Sequence, residues 1–321
     1  MILPNVVIAG TPKSGSSSLF RWLGDHPQVC ASLRKETRFL LDRGDPLFPE
    51  DCNVHDHGLA AWGETFPESC RSSLPVRLEA TPHYLYHETA RNVLAGLDEP
   101  PHIVILLRKP SDRIHSSFRY TQNNLGLLPR RMTFGEYVAT LFSEESLSAD
   151  EFARRPLVWR ELRYSRYAEY LSRWQELFPA ERLHVMIFEE FMEARSDRMA
   201  DLADRIGLEG DFYREYPFPR FNETYSVRSP ELQRSARRLS RLLPAGRIKA
   251  AARQMYLKLQ RRPQKAATTT DDEDALRRLD DYFAPANARL AELLGRDLTV
   301  WEPSTATSGG PQRESLGTGT R

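Results

Sequence analysis

Lys13, Gly15 and the hydroxyls of Ser14, Ser16, Ser17 and Ser18 crowd into one stretch directly after the apolar run Asn5-Val6-Val7-Ile8-Ala9-Gly10. The pattern predicts a strand, a glycine- and serine-rich turn, and a helix whose first amides point into the turn. Such a turn cradles an anion. The first N–H groups of a helix have no intrahelical partner, the helix dipole is positive there, and Lys13 adds a full charge. The spacing almost matches a nucleotide-triphosphate loop, with four residues between Gly10 and Gly15 and then Ser16 and Ser17. That motif places its lysine immediately after the second glycine. Here the lysine comes two residues before Gly15.

A second such unit begins at Arg108. The run His102-Ile103-Val104-Ile105-Leu106-Leu107 predicts a buried strand, and Arg108-Lys109-Pro110-Ser111-Asp112-Arg113-Ile114-His115-Ser116 follows at a helix start. Arginine grips phosphate through two parallel hydrogen bonds, and a serine hydroxyl adds another. A triphosphate site instead wants an acid at a strand end for its metal; Val185-Met186-Ile187-Phe188-Glu189 offers one. Taken singly, Arg108 reads equally as the cap of a sheet edge and Ser116 as a solvated hydroxyl. Together, at the carboxyl ends of two strands, the units suit a nucleotide with a 5′ chain and a 3′-phosphate.

With these residues the chain resembles the sulfotransferases that use 3′-phosphoadenosine 5′-phosphosulfate (PAPS), in pattern most of all the heparan sulfate sulfotransferases and similar bacterial enzymes. Lys13-Ser14-Gly15-Ser16-Ser17 fits their K-x-G-[TS]-[TS] loop, and Arg108 to Ser116 fits R-[ND]-P-x-x-R-x-x-S except at Lys109. Lys35-Glu36-Thr37-Arg38-Phe39-Leu40 fits K-E-x-x-[FY]-[FL], and Glu79-Ala80-Thr81-Pro82-His83-Tyr84 fits E-x-[ST]-P-x-Y. Ser165-Arg166-Tyr167, Tyr170 to Trp174 and Leu293 to Trp301 extend the likeness from Asn5 to about Trp301.

The resemblance implies a P-loop-like fold and in-line transfer of a sulfuryl group from PAPS to a hydroxyl or amine of a carbohydrate or small-molecule acceptor. Lys13 would neutralise the oxygen bridging to the leaving nucleotide, with the Ser16 and Ser17 amides acting as an oxyanion hole. Ser14, Gly15 and Ser18 would complete the 5′ cradle, and Arg108 and Ser116 would take the 3′-phosphate. Glu36 is the implied base for the acceptor proton, against the alternative of a surface glutamate paired with Lys35 or Arg38. His83 is a second candidate for proton transfer, or a packing residue. A sulfuryl group carries less charge than a terminal phosphoryl, so no metal is expected. Heparan-type members often carry lysine where this chain has Ala80, which favours a smaller or less charged acceptor. The segment Phe221-Asn222-Glu223-Thr224 lacks their following lysine–glycine pair, and Arg228 is the candidate to replace its phosphate contact.

Strands alternating with helical segments from Asn5 to Glu189 predict a three-layer α/β fold, a mostly parallel sheet with helices on both faces, followed by a helical C-terminal region. The 321 residues carry 45 Lys+Arg against 44 Asp+Glu, a balance that does not suggest nucleic-acid binding. Cys30, Cys52 and Cys70 show no metal-ligand spacing and read as reduced thiols of a cytoplasmic protein. No signal peptide or bilayer-length apolar stretch is evident, and the expectation is a bacterial cytoplasmic enzyme with no membrane span. Residues 1–302 are expected to form one domain and 303–321 a disordered tail. The arginine-rich stretch 231–262 has helical apolar spacing, and its charge suits either an anionic acceptor or a solvated face. A last helix is expected from Glu273 to Leu294.

Two other readings fit parts of the pattern: a P-loop kinase or NTPase using Mg-ATP, and a nucleotide-binding scaffold without activity. Acceptor choice would fall to the segments from Asp42 to Phe66 and from Gln122 to Arg160, where Trp62, Phe66, Tyr84, Tyr86 and Trp159 either wall an acceptor or pack.

Overall fold

The computed structural model describes residues 2–71, 74–148, 151, 155–219, 225–227, 261–263 and 269–302. Arg228, residues 231–260 and the tail 303–321 lie outside them.

Five strands, β1 (Val6–Gly10), β2 (Val29–Ala31), β3 (Val76–Ala80), β4 (His102–Leu107) and β5 (Leu183–Ile187), form a sheet in the order β2-β3-β1-β4-β5. Every pairing in it is parallel. Strands β1 and β4 are near-continuous apolar runs because both of their faces are covered, as parallel sheets require. Alternation divides their side chains. Val7, Ala9, Ile103, Ile105 and Leu107 enter one core, while Val6, Ile8, Val104 and Leu106 enter another on the opposite face.

The first core is closed by α2 (Glu88–Ala95), α5 (Tyr167–Gln175) and the end of α8 (Thr270–Leu294), through Leu94, Trp174 and Leu290. The second is closed by α1 (Ser16–Gly24) and α7 (Arg195–Arg205), through Leu19, Leu23, Met199 and Leu202. Helix α6 (Phe188–Glu193) adds Phe191 to the second core, and α3 (Pro110–Tyr120) and α4 (Phe134–Ser143) are the remaining longer helices of the described residues. Helices α3, α4 and α8 meet in a third core around Ile114, Phe118, Tyr137, Leu279 and Phe283. The expected three-layer α/β architecture is therefore present. Helix α8 starts earlier than expected because Thr269 and Asp272 form a capping box.

Two expectations are corrected. Arg261 and Arg262 belong to a short strand, β7 (Arg261–Pro263), antiparallel to β6 (Tyr225–Val227), and so are not helical. The cysteines are not all reduced: Cys30 and Cys70 form a disulfide with Cα atoms 5.7 Å apart, leaving Cys52 free. The turn before Cys70 folds back on the segment after β2, where the Leu33 amide bonds the Thr65 carbonyl, and the two cysteines are buried with Phe66. Denatured without reductant, the protein is expected to offer one reactive thiol, and three after reduction. Thiol titration with a chromogenic disulfide decides it; three thiols before reduction would refute the pairing.

No helix among the described residues is long and apolar enough to cross a membrane.

Candidate active site

The predicted residues gather at the carboxyl end of the sheet, on the segments that leave β1, β2, β3 and β4. These strands include the point where successive connections run to opposite sides of β1, where open α/β sheets form a crevice. In the loop after β1, Gly15 is the N-cap of α1 at φ 89° and offers no side-chain cap. The Ser18 and Leu19 amides bond the Gly15 carbonyl. The Ser16 and Ser17 amides precede the first intrahelical bond, so the turn has the orphan donors of an anion site. Buried Ser14 bonds Thr11, whose hydroxyl in turn donates to the Leu106 carbonyl at 3.1 Å, tying the loop to β4. Any side chain at position 15 would meet the Phe188 ring at 2.9 Å, so glycine is required by space as well as by φ.

The same Phe188 ring lies 5.0 Å beneath the Arg108 guanidinium, which also donates to the Lys13 carbonyl at 3.3 Å. The two predicted anion loops are thus in direct contact. The buried Nε of Arg108 has no partner among the described residues. Ser116 lies half-buried on α3, with the helix start that follows Arg108 at its N-terminal end. Lys13 sits 3.7 Å over the Tyr120 ring at the end of that helix. Burial pulls the Lys13 ammonium down to about 8, against the field of Glu161 and together with that of Arg108. Strand β6, immediately before Arg228, rests on the turn Thr121–Leu125 next to Tyr120.

Glu36 approaches from the other side. Its amide bonds the Ala80 carbonyl at 2.7 Å, fixing it to the end of β3. Its carboxylate holds Lys35 at 2.7 Å and Arg38 at 3.3 Å. Burial pushes the carboxyl up, but Lys35, His83 and Arg38 outweigh it and hold it at about 2. The ion-paired reading of Glu36 and the catalytic one therefore describe the same side chain. His83 is drawn down to about 4 by burial, although Glu36 favours its cation, and its Nδ1 is buried without a partner among the described residues. Of the four described non-glycine residues with positive φ, three, Lys13, Glu36 and Arg38, lie here; the fourth is Phe218. Left-handed backbone at such residues costs about 1–3 kcal/mol and clusters at functional sites.

Sequence reasoning treated Glu79 only as part of a matching segment. Its Oε1 accepts from Thr37 Oγ1 at 2.8 Å and Thr81 Oγ1 at 2.7 Å, while Thr81 Oγ1 accepts from the Arg38 amide and Tyr84 Oη from the Leu40 amide. The two supporting motifs are therefore interlocked, with the second holding the backbone that carries Glu36. Glu79 is fully buried, its Oε2 has no partner among the described residues, and burial raises its carboxyl to about 7 despite the threonines. A folded-state value above the unfolded one makes stability fall as pH rises from about 4.5 to about 7, by about 3 kcal/mol. Glu79→Gln is expected to flatten that slope and to match or exceed the wild type at pH 8. Denaturant melts at both ends of the window measure it, and parallel slopes would sink the assignment.

For the aromatics that could either wall an acceptor or pack, the structure shows packing. Trp62, Phe66 and Tyr84 are core residues rather than acceptor walls. Trp159 packs 5.5 Å from Tyr137, while Tyr86 stacks on Tyr164 at 3.9 Å. Glu189, the strand-end acid that a metal site would need, accepts from the Lys109 amide through Oε1 and from Trp301 Nε1 through Oε2. The second arginine of the Arg108 segment, Arg113, is buried against Glu161 at 2.5 Å, and Ser117 donates to the same carboxylate.

The human heparan sulfate glucosamine 3-O-sulfotransferase 3B1 is 22% identical over 297 residues, 92% of this chain and 64% of that protein. The human bifunctional heparan sulfate N-deacetylase/N-sulfotransferase 1 is 25% identical over 185 residues, 57% of this chain and 20% of that protein. This chain thus spans less than two thirds of the length of these relatives. A sulfotransferase of Alicyclobacillus acidocaldarius of known structure shares the fold, with a TM-score of 0.64, 20% identity, and coverage of 94% of this chain and 99% of that one. The sulfotransferase domain family matches residues 3–215, two thirds of the sequence, and the chain belongs to that family.

Proposed function

We propose that this protein transfers the sulfuryl group of PAPS to a hydroxyl or amine of a carbohydrate or small-molecule acceptor. The observation that carries the reading is the contact between the two anion loops, with Arg108 on the Lys13 carbonyl and Phe188 wedged between Arg108 and Gly15. Two anionic groups on one nucleotide are what such a pair of loops would bind. In this reading Ser14, Gly15, Ser16, Ser17 and Ser18 cradle the 5′-phosphosulfate, and Arg108 and Ser116 take the 3′-phosphate, with Arg228 as a further donor.

The reaction is an in-line displacement at sulfur. As the S–O bond to the nucleotide breaks, Lys13 stabilises the charge growing on the leaving oxygen. Glu36 takes the acceptor proton as the new bond forms between sulfur and the acceptor oxygen or nitrogen. His83, neutral at physiological pH, hydrogen-bonds the acceptor. Ala80 in place of lysine, buried in the apolar core with Ile8 and Leu78, offers no charge to a polyanionic acceptor, which favours one less charged than heparan sulfate. Glu189, engaged by Lys109 and Trp301, disfavours the Mg-ATP alternative. Support for a cytoplasmic location from three reduced thiols is removed by the Cys30–Cys70 bond.

The test is calorimetric titration with 3′-phosphoadenosine 5′-phosphate and with ATP, each with and without magnesium. Tight binding of the bisphosphate without magnesium is expected. Magnesium-dependent binding of ATP in preference to the bisphosphate would overturn the proposal.

A further inference from the structure

Lys109 stands where the family pattern has asparagine or aspartate, residues that cap a helix start with their own side chains. As the N-cap of α3 it makes no side-chain cap. Its ammonium instead reaches Asp280 on α8 at 2.8 Å, and the other oxygen of Asp280 accepts from Ser111 Oγ in the first turn of α3 at 2.5 Å. A carboxylate from a helix 171 residues further along thus ties the N-cap side chain and the first turn of α3 together, without accepting from the backbone amides as a cap would. The neighbouring backbone is gripped from two more elements: Glu189 accepts from the Lys109 amide at 3.0 Å, and Tyr167 donates to the Arg108 carbonyl at 2.9 Å.

We infer that Asp280 and Lys109 act together as a brace supplied from α8, positioning the Arg108 loop for a nucleotide 3′-phosphate. This rests on the nucleotide-site reading above. The physical argument has two parts. Asp280 anchors the first turn of α3, whose amides and dipole face the phosphate. An uncompensated carboxylate there would repel that phosphate, and Lys109 cancels its charge. Substituting either residue alone therefore leaves a fault: a loosened turn with a free cation, or a bare anion beside the ligand. Changing both to a locally capped start removes the fault. The departure at Lys109 and the acid at Asp280 are one compensated exchange.

The test measures affinities of the full chain for 3′-phosphoadenosine 5′-phosphate and for AMP, which lacks the 3′-phosphate, by competition. Asp280→Ala and Lys109→Asn are each expected to lower the preference for the bisphosphate at least about fivefold, leaving AMP affinity unchanged. The double variant Lys109→Asn/Asp280→Ala is expected to recover the preference to within about twofold of wild type, because an asparagine at the N-cap closes the helix start with its own side chain. Equal losses for both nucleotides, or a double variant no better than the worse single one, would overturn the inference. If Asp280→Ala does not fold, Ser111→Ala replaces it, since it removes the same anchor on the first turn of α3, with the same loss of preference expected and an unchanged preference overturning the inference. A wild type that does not prefer the bisphosphate over AMP would instead refute the nucleotide-site reading itself.

Discussion

Lys13→Ala is expected to lower sulfuryl transfer about a thousandfold while leaving the melting temperature unchanged or raised. The activity loss follows from position: Lys13 is the cation of a loop whose other donors are uncharged, and it stands next to the Arg108 contact. Removing one preorganised donor to a developing oxyanion costs about 10²–10³ in rate, and a full charge lies at the upper end. The stability result follows from the depressed value near 8, which records that burial disfavours the ammonium. Deleting it relieves that cost. The sign with pH is fixed as well. The protonated form binds the anion, so kcat/KM for PAPS should fall as pH rises through about 8 in the free enzyme. In Lys13→Arg the fall should vanish, since guanidinium stays charged, although its planar fork replaces a compact ammonium and the rate should remain reduced. Steady-state rates from pH 6 to 10, using an acceptor found by screening, provide the check. A fall that persists unchanged in Lys13→Arg would assign it to another group.

The elements that carry this chemistry were legible because each is encoded locally. A continuous apolar run such as His102–Leu107 can be a doubly covered strand, and a glycine with serines after it can open a helix. Lys13, Gly15 and Arg108 could therefore be named before their contact was seen. What escaped detection depends on residues far apart in the chain. Nothing near Cys30 announces Cys70, and three cysteines without metal-ligand spacing read as reduced thiols. Short strands such as Val29–Ala31 give too few positions for periodicity to register. The rigid frame of the site was the least legible part. Glu79, Glu161 and Asp280 look like ordinary acids in sequence, and Glu189 like a strand-end acid for a metal, yet each holds its surroundings through partners from other elements. One signal was available: Lys109 broke a pattern at a helix cap, and a broken cap implies a partner elsewhere.

Glu36→Gln is expected to cut transfer about 10²–10³-fold while keeping affinity for 3′-phosphoadenosine 5′-phosphate within about twofold. The backbone of Glu36 is secured by the Ala80 carbonyl and by the Glu79–Thr81–Tyr84 lattice, so the carboxylate can change without moving the loop. A base at about 2 is a weak one, and its weakness has an identified origin in Lys35 and Arg38. Strong pairing keeps the carboxylate ionised but lowers its appetite for a proton. Lys35→Met therefore separates a base from a strut. With its nearest cation gone, the Glu36 carboxyl should rise, and the acidic limb of the kcat profile should move to higher pH by about a unit or more. A structural Glu36 predicts no movement of that limb, and in Glu36→Gln it predicts lost nucleotide affinity with turnover per bound nucleotide preserved. The shape of the pH profile and the split between affinity and rate thus distinguish the two roles by independent routes.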